Sequence, residues 1–266
     1  MNPAPPPHHA RSLLAGFLTG FGGGLASLGG GTLLIPMLTA WLGLSQHQAR
    51  GTAMVIAGFT AVSGALSYGL YGSVRWDSLL WAGVPALICA PLAARLSMHW
   101  PERLLRQLFS VVLLLGAVAL FARDGLSGGF ASGCPHSWLI MVGVITGSVA
   151  GVVGISGGPV LAPLFVIGLG MPQQMAQGSS LTARIPAILS GVWEDQREGL
   201  IRWQLVPLLA LGDVVGTLAG AHLALQLPEP LLRGCFAFLL MLLGLYELFG
   251  GPRYGHAKYR PHGNYP

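Results

Sequence analysis

The sequence predicts an all-α polytopic membrane protein with about eight transmembrane helices, arranged as two tandem four-helix repeats whose first helices are broken by glycine. Three observations predict it. Only 9% of the 266 residues are charged and 53% are apolar, whereas a soluble domain carries about 25% charge. Apolar stretches near the 20 residues or so that a bilayer needs recur along the whole chain. The second half of the chain also repeats the first.

The 40 glycines and 19 prolines stand among Leu, Val and Ala rather than among Ser, Gln or Lys. That is the composition of closely packed membrane helices, not of disorder. The net charge of +5 comes from thirteen Arg and one Lys, Lys258, mostly between apolar runs or in the tail. This is loop charge and not a nucleic-acid patch. Cys89, Cys134 and Cys235 share no motif spacing and read as small packing residues.

Residues 1–12 read as a flexible tail. The apolar run after them continues well past a signal-peptide core without a clear cleavage site, so it is expected to be retained. The apolar stretches lie at residues 13–44, 51–71, 79–98, 104–122, 138–170, 179–193, 203–226 and 230–249. The first and fifth are too long for one straight crossing, and the sixth is short and contains an arginine. The implied units are repeat 1 at 13–122, a loop at 123–137, repeat 2 at 138–249 and a tail at 250–266.

Shifting the chain by 127 residues aligns 13–121 with 140–248 without a gap, and 28 of 109 positions are identical. Matches cluster: Gly16, Thr19, Gly20 and Gly24 meet Gly143, Thr146, Gly147 and Gly151, and Arg75-Trp76 meets Arg202-Trp203. Pro101-Glu102 meets Pro228-Glu229. Internal repeats of this size are typical of transporters, whose substrate sites lie at the repeat interface. With four crossings per repeat, eight basic residues fall on the face holding the termini and four on the other. The positive-inside bias then puts both termini in the cytoplasm of a bacterial-type inner membrane. An even number of crossings makes the halves parallel. If the first and fifth segments each crossed twice, the halves would be inverted.

Gly29-Gly30-Gly31-Thr32 and Ser156-Gly157-Gly158-Pro159 occupy matched places in those two segments. Consecutive glycines cost a helix about 1 kcal/mol each, so both places are expected to unwind. A restarted helix presents free N–H groups and a positive dipole end, which bind anions. Close helix packing is the better explanation of any single glycine, but the twofold placement points to a common cavity.

The elements Gly29–Pro36 with Gly51-Thr52-Ala53, and Ser156–Pro163 with Gly178-Ser179-Ser180, duplicated over nearly the whole chain, resemble the TauE/SafE family. That family comprises sulfite and organosulfonate exporters, also called the 4-toluene sulfonate uptake permeases. The resemblance implies transport of a small sulfur-containing or carboxylic anion and leaves the cargo open.

Arg184 stands within the sixth stretch, and its repeat counterpart is Ala57. A mid-membrane arginine costs from about 2.5 kcal/mol upward and faces a partner or a wet cavity. Its planar fork suits two oxygens of sulfite or a sulfonate; the competing reading is a structural ion pair with Asp213. Asp213, opposite Ala86 in the repeat, is either that counter-ion or a proton carrier. The expected substrate site is Arg184 with Ser179, Ser180 and Thr182 as hydroxyls, and Gly30, Gly31, Thr32, Ser156, Gly157 and Gly158 as backbone donors. No metal, cofactor, nucleic acid or catalytic residue is expected. The partners are the anion and membrane lipid, with proton coupling and homo-oligomer formation both compatible with the sequence. An inside-negative potential favours anion exit by roughly 2.3 kcal/mol per charge per 100 mV, so export needs no coupled ion.

The chain has no Walker A sequence and no His-Glu-x-x-His. Ser156 in Gly154–Gly158 nearly spells a nucleophile elbow, but that device needs a strand-to-helix turn. The alternative to a transporter is a membrane scaffold or assembly factor, which has no need of a mid-membrane charge or duplicated glycine breaks.

Overall fold

The computed structural model describes residues 9–27, 30–97, 101–123, 135–153 and 157–249. Among these there are eleven helices and no strand: α1 (His9–Ala26), α2 (Gly30–Leu42), α3 (Gln46–Leu70), α4 (Ser78–Trp81), α5 (Gly83–Ser97), α6 (Glu102–Phe121), α7 (Pro135–Val153), α8 (Gly158–Leu169), α9 (Gln173–Arg197), α10 (Val206–Gln226) and α11 (Glu229–Phe249). Each expected apolar stretch falls on one helix or on two consecutive ones. The two overlong stretches divide as α1–α2 and α7–α8, at the glycine clusters. Pro159 lies in the first turn of α8, where its missing N–H breaks no helix bond.

By length and composition α3, α10 and α11 are long and apolar enough to cross a membrane. The other apolar helices are shorter. At 1.5 Å per residue, α2 and α8 reach only about 20 Å, well short of a bilayer core. Large apolar side chains face outward on most helices, among them Leu66, Leu70, Leu80, Leu115, Val118, Leu189 and Leu211. The interior combines alanine, leucine and phenylalanine with buried serine, threonine, glutamine, Arg184 and Asp213. An apolar exterior with polar and charged side chains turned inward is the arrangement of a multi-pass membrane protein, since lipid solvates the outer side chains.

Helix directions follow from which residues meet. Gly16, Gly20 and Gly24 of α1 lie against the backbone of Leu209, Asp213 and Thr217 of α10, so these two helices run parallel. A β-carbon at any of the three glycines would overlap a carbonyl of α10, and Gly212, Gly216 and Gly220 meet α1 in the same way. This is small-residue packing with backbones in contact. The pair α5–α7 repeats it at the 127-residue offset, with Gly143, Gly147 and Gly151 against Ala82, Ala86 and Ala90.

The helices α3 and α9, themselves related by that offset, run antiparallel. Along them Arg50 meets Asp195, Gly191 meets Met54, Gly58 meets Ile188, Gly64 meets Leu181 and Tyr68 meets Gln177. The related helices α6 and α11 do the same, through Arg123 with Glu229, Gly116 with Leu240 and Gly244 with Leu114. The expectation of halves alike in direction is not met by these helix pairs. The reason lies in the glycine-rich segments: instead of kinking within one crossing, α1 and α7 are each followed by a short helix that turns back. Thr60 and Gly64 of α3 meet Asp213 and Thr217 of α10, so α3 runs with α10 and hence with α1. The helix between them, α2, returns the chain to the side on which α1 began.

Both turns after these helices are held across the halves by equivalent bonds. The Ser179 hydroxyl accepts from the Arg75 N–H at 2.9 Å, and the Thr52 hydroxyl accepts from the Arg202 N–H at 3.1 Å.

Candidate functional site

Seven polar residues of α9, namely Gln173, Gln177, Ser179, Ser180, Thr182, Arg184 and, near its end, Asp195, are buried. The helical period sorts them. Gln177, Ser180 and Arg184, at spacings of three and four, share one face, and that face meets the end of α1 and the start of α8.

Arg184 is 4% exposed. Its Nε donates to the Ser180 carbonyl at 3.3 Å, and its guanidinium lies on the Cα of Gly158. A β-carbon on Gly158 would strike Arg184 Nη1 and the Ser27 carbonyl, so only glycine lets the arginine reach the opening of α8. Gly157 precedes that opening, and its carbonyl accepts from the N–H groups of Val160 and Leu161, each at 3.1 Å. The earlier N–H groups have no intrahelical acceptor and point back out of the helix. Thr146 of α7 packs against the Cα of Gly157, and its buried hydroxyl has no hydrogen-bond partner among the described residues.

Ser27, immediately after α1, is the one non-glycine residue with positive φ among the described residues, at 51°. Such a backbone is uncommon for a residue bearing a β-carbon. Its hydroxyl anchors the turn by donating to the Gln177 carbonyl at 3.3 Å and to Ser180 Oγ at 3.2 Å. Tyr68 of α3 is fully buried and donates to the Gly24 carbonyl and to Gln177 Oε1, both at 2.8 Å. The end of α1, the start of α8 and one face of α9 therefore converge on Arg184.

The structure brings together Arg184, Ser180, Gly157 and Gly158 of the expected set. It does not bring Ser179 or Thr182 to the same point. Besides taking the Arg75 N–H, Ser179 accepts on its carbonyl from Ser78 Oγ at 3.1 Å, while Thr182 Oγ1 donates to the Gly178 carbonyl at 2.9 Å. Ser156 lies outside the described residues, as do the side-chain surroundings of Gly30, Gly31 and Thr32, which open α2. Asp213 is paired with Thr60 Oγ1, at 2.8 and 2.9 Å to its two oxygens, and not with Arg184. Ser27, Tyr68, Thr146 and Gln177 belong to the cluster and had not been singled out in the sequence. For Gln177 the signal was available, since it stands seven residues before Arg184 on the same helical face. No group of His, Cys, Asp and Glu able to hold a metal occurs among the described residues.

A buried cation at a helix opening, inside a helical membrane protein with an apolar exterior, fits a protein of the membrane-transporter class. The sulfite exporter TauE/SafE family model matches residues 2–120 and 139–265, and the chain belongs to that family. Among similar proteins is "Probable membrane transporter protein YdhB" of Bacillus subtilis (strain 168), 24% identical over 242 residues, covering 89% of this chain and 99% of the relative. A second, "Probable membrane transporter protein" of Xylella fastidiosa (strain Temecula1 / ATCC 700964), is 27% identical over 246 residues, covering 88% and 93% respectively. "Probable membrane transporter protein YjnA" of Bacillus subtilis (strain 168) is 23% identical over 250 residues, covering 88% and 97%.

Proposed function

We propose that the protein is a secondary transporter that exports a small sulfur-containing anion such as sulfite or an organosulfonate. The observation that carries this reading is the buried guanidinium of Arg184 on the first turn of α8. A planar donor fork and a helix opening together offer converging N–H groups to a compact oxyanion. Arg184 supplies the charge, Gly157 and Gly158 the backbone donors, and Ser180, Ser27 and Thr146 the surrounding hydroxyls. Ser179 and Thr182 act as positioning residues for α9. The description of the family as sulfite exporters supports both the sulfur chemistry and the outward direction.

In this reading residues 13–122 and 138–249 form inverted repeats. The antiparallel contacts of α3 with α9 and of α6 with α11 support it. Each broken first segment then enters and returns as a hairpin, leaving an odd number of crossings per half. Counted along these directions, and among the described residues, Arg11, Arg50, Arg103, Arg106, Arg197 and Arg202 share the face on which α1 begins, against Arg75, Arg123 and Arg233, whereas a parallel arrangement divides the same residues five to four. The bias again favours cytoplasmic termini, more strongly than the parallel count did.

The test is sulfite flux in proteoliposomes of the purified protein. Wild type is expected to give saturable flux, and Arg184→Gln to insert normally while losing it. Full activity in Arg184→Gln removes this residue from the site. Failure of wild type with sulfite, sulfonates and small carboxylates alike overturns the transporter assignment.

A further inference from the structure

Asp213 sits midway along α10 with no exposed surface. Its carboxylate makes no ion pair with any described residue, and both oxygens lie on the hydroxyl of Thr60. The groups facing it can be named helix by helix. From α1, Gly16 and Gly20 lie against the backbone of Asp213, and from α3 Thr60 meets its carboxylate. Farther along α3, Tyr68 is bonded to Gly24 and Gln177; on α9, Arg184 lies against Gly158. On α10 itself, Thr217 is uncharged, and His222 is exposed and bonded to Gln226.

The hydroxyl of Thr60 has one proton and three acceptors within reach, because the Ile56 carbonyl lies 3.2 Å away. Two arrangements fit the same heavy atoms. With Asp213 ionised, Thr60 donates to the carboxylate. With Asp213 protonated, the new O–H donates to Thr60 Oγ1, and the threonine proton turns to the Ile56 carbonyl. A proton can therefore be gained or lost by rotating one hydroxyl, with no donor left unused.

The twin position provides an internal control. At the 127-residue offset, Asp213 becomes Ala86, Thr60 becomes Ala187, and Gly16 and Gly20 become Gly143 and Gly147. The α5–α7 contact closes as tightly as α1–α10, with a β-carbon on Gly147 overlapping Ala86 just as one on Gly20 would overlap Asp213. Holding these helices together thus does not require the carboxylate. The same offset replaces Arg184 by Ala57. Of the four charged residues buried among the described ones, Asp195 and Arg233 are paired with Arg50 and Glu229; the other two, Arg184 and Asp213, belong to one half only.

We propose that Asp213, with Thr60 as its hydrogen-bond partner, carries a proton across the membrane together with the anion held at Arg184. This rests on the anion-carrier reading above and specifies how that site is coupled. Empty, the interior holds Arg184 positive and Asp213 negative. Loaded, the anion balances Arg184 and the proton neutralises Asp213. Either state has no net buried charge, whereas binding of the anion alone or the proton alone would leave one, which a membrane interior penalises. The cargo then crosses as one monoanion with one proton. Its direction is set by the two concentration gradients and not by the membrane potential.

Proteoliposomes of the full chain, an internal pH dye and labelled sulfite test this in two arms. Counterflow of labelled sulfite without any gradient reports the carrier alone, and the dye reports protons moving with a gradient of a small sulfonate, which, unlike hydrogen sulfite, has no proton of its own to release near neutral pH. For wild type we expect counterflow, proton movement with the anion, and net flux unaffected by a potassium–valinomycin potential. Asp213→Asn keeps the shape and a donor for Thr60. It should retain measurable counterflow, lose the dye signal to background and become potential-sensitive. Wild-type counterflow without proton movement overturns the coupling and leaves the carrier standing, as does an unchanged dye signal in Asp213→Asn. If that variant fails to insert, the wild-type dye signal decides. No counterflow with sulfite, sulfonates or small carboxylates overturns both readings.

Discussion

The contacts α1–α10 and α5–α7 are built to one plan and differ in chemistry. Both run parallel, and both bring a stripe of three glycines against a neighbouring backbone. In α1–α10 the partner helix answers with glycines of its own, Gly212, Gly216 and Gly220, whereas α5 has Pro85, Cys89 and Ala93 at those places. The first contact also encloses Asp213, the second only Ala86. The difference teaches that packing and charge are separable here: the stripe holds the helices, and the carboxylate is an addition to it.

Four experiments can break or sharpen that comparison. The largest effect is expected from filling a stripe. Gly20→Leu and Gly147→Leu each drive a side chain into a backbone carbonyl that cannot yield, and each should cost about 3 kcal/mol. Thermal unfolding in detergent checks this; a tolerated leucine at one position alone would mean that the two contacts are not equivalent. Next comes exchange of the charged position. Ala86→Asp buries a carboxyl opposite Ala187, with no counterpart of the Thr60 hydroxyl, and should destabilise by about 3 kcal/mol. Asp213→Ala should stay within about 1 kcal/mol of wild type, because Thr60 keeps the Ile56 carbonyl. Adding Ala187→Thr to Ala86→Asp should recover about 1 kcal/mol.

The ends of the α3–α9 ladder give the smaller effects. Tyr68→Phe strips the buried hydroxyl from Gly24 and Gln177 and should cost about 1.5 kcal/mol, read from the same melting curves. Its counterpart is the Arg50–Asp195 pair, 4.0 Å long with the arginine half exposed. Arg50→Ala is expected to change stability by less than about 0.5 kcal/mol. Equal losses at the two ends would contradict the view that burial sets their strength.

Much of this architecture was legible in the residues. Apolar length located the helical stretches, though not the division of 79–98 into α4 and α5, and the paired glycines located both breaks, because those properties depend on a few neighbouring residues. What the breaks do was not legible. Gly29–Thr32 shows that a helix cannot continue cheaply, yet whether the chain bends or reverses depends on contacts made far away, such as Ser27 with Gln177 and Ser180. The candidate site divides the same way. Arg184 announced itself by its cost in a membrane. Ser179, Ser180 and Thr182 looked alike in sequence, and only the neighbours facing each, Arg75, Ser27 and Gly178, separate them. Tyr68 and Thr146 gave no local signal, since a tyrosine or threonine in an apolar stretch is unremarkable until its neighbours are known.

The reversed run of α3 against α9 has a consequence for energetics. In the inverted-repeat reading proposed above, two halves meeting head to tail give the molecule a near-equivalence between its upper and lower faces, so a shape open to one side has a counterpart open to the other. Arg184 and Asp213 have no counterparts, only Ala57 and Ala86. They are among the places where that equivalence fails, and any preference of the empty protein for facing one side over the other has to be written in such unmatched residues.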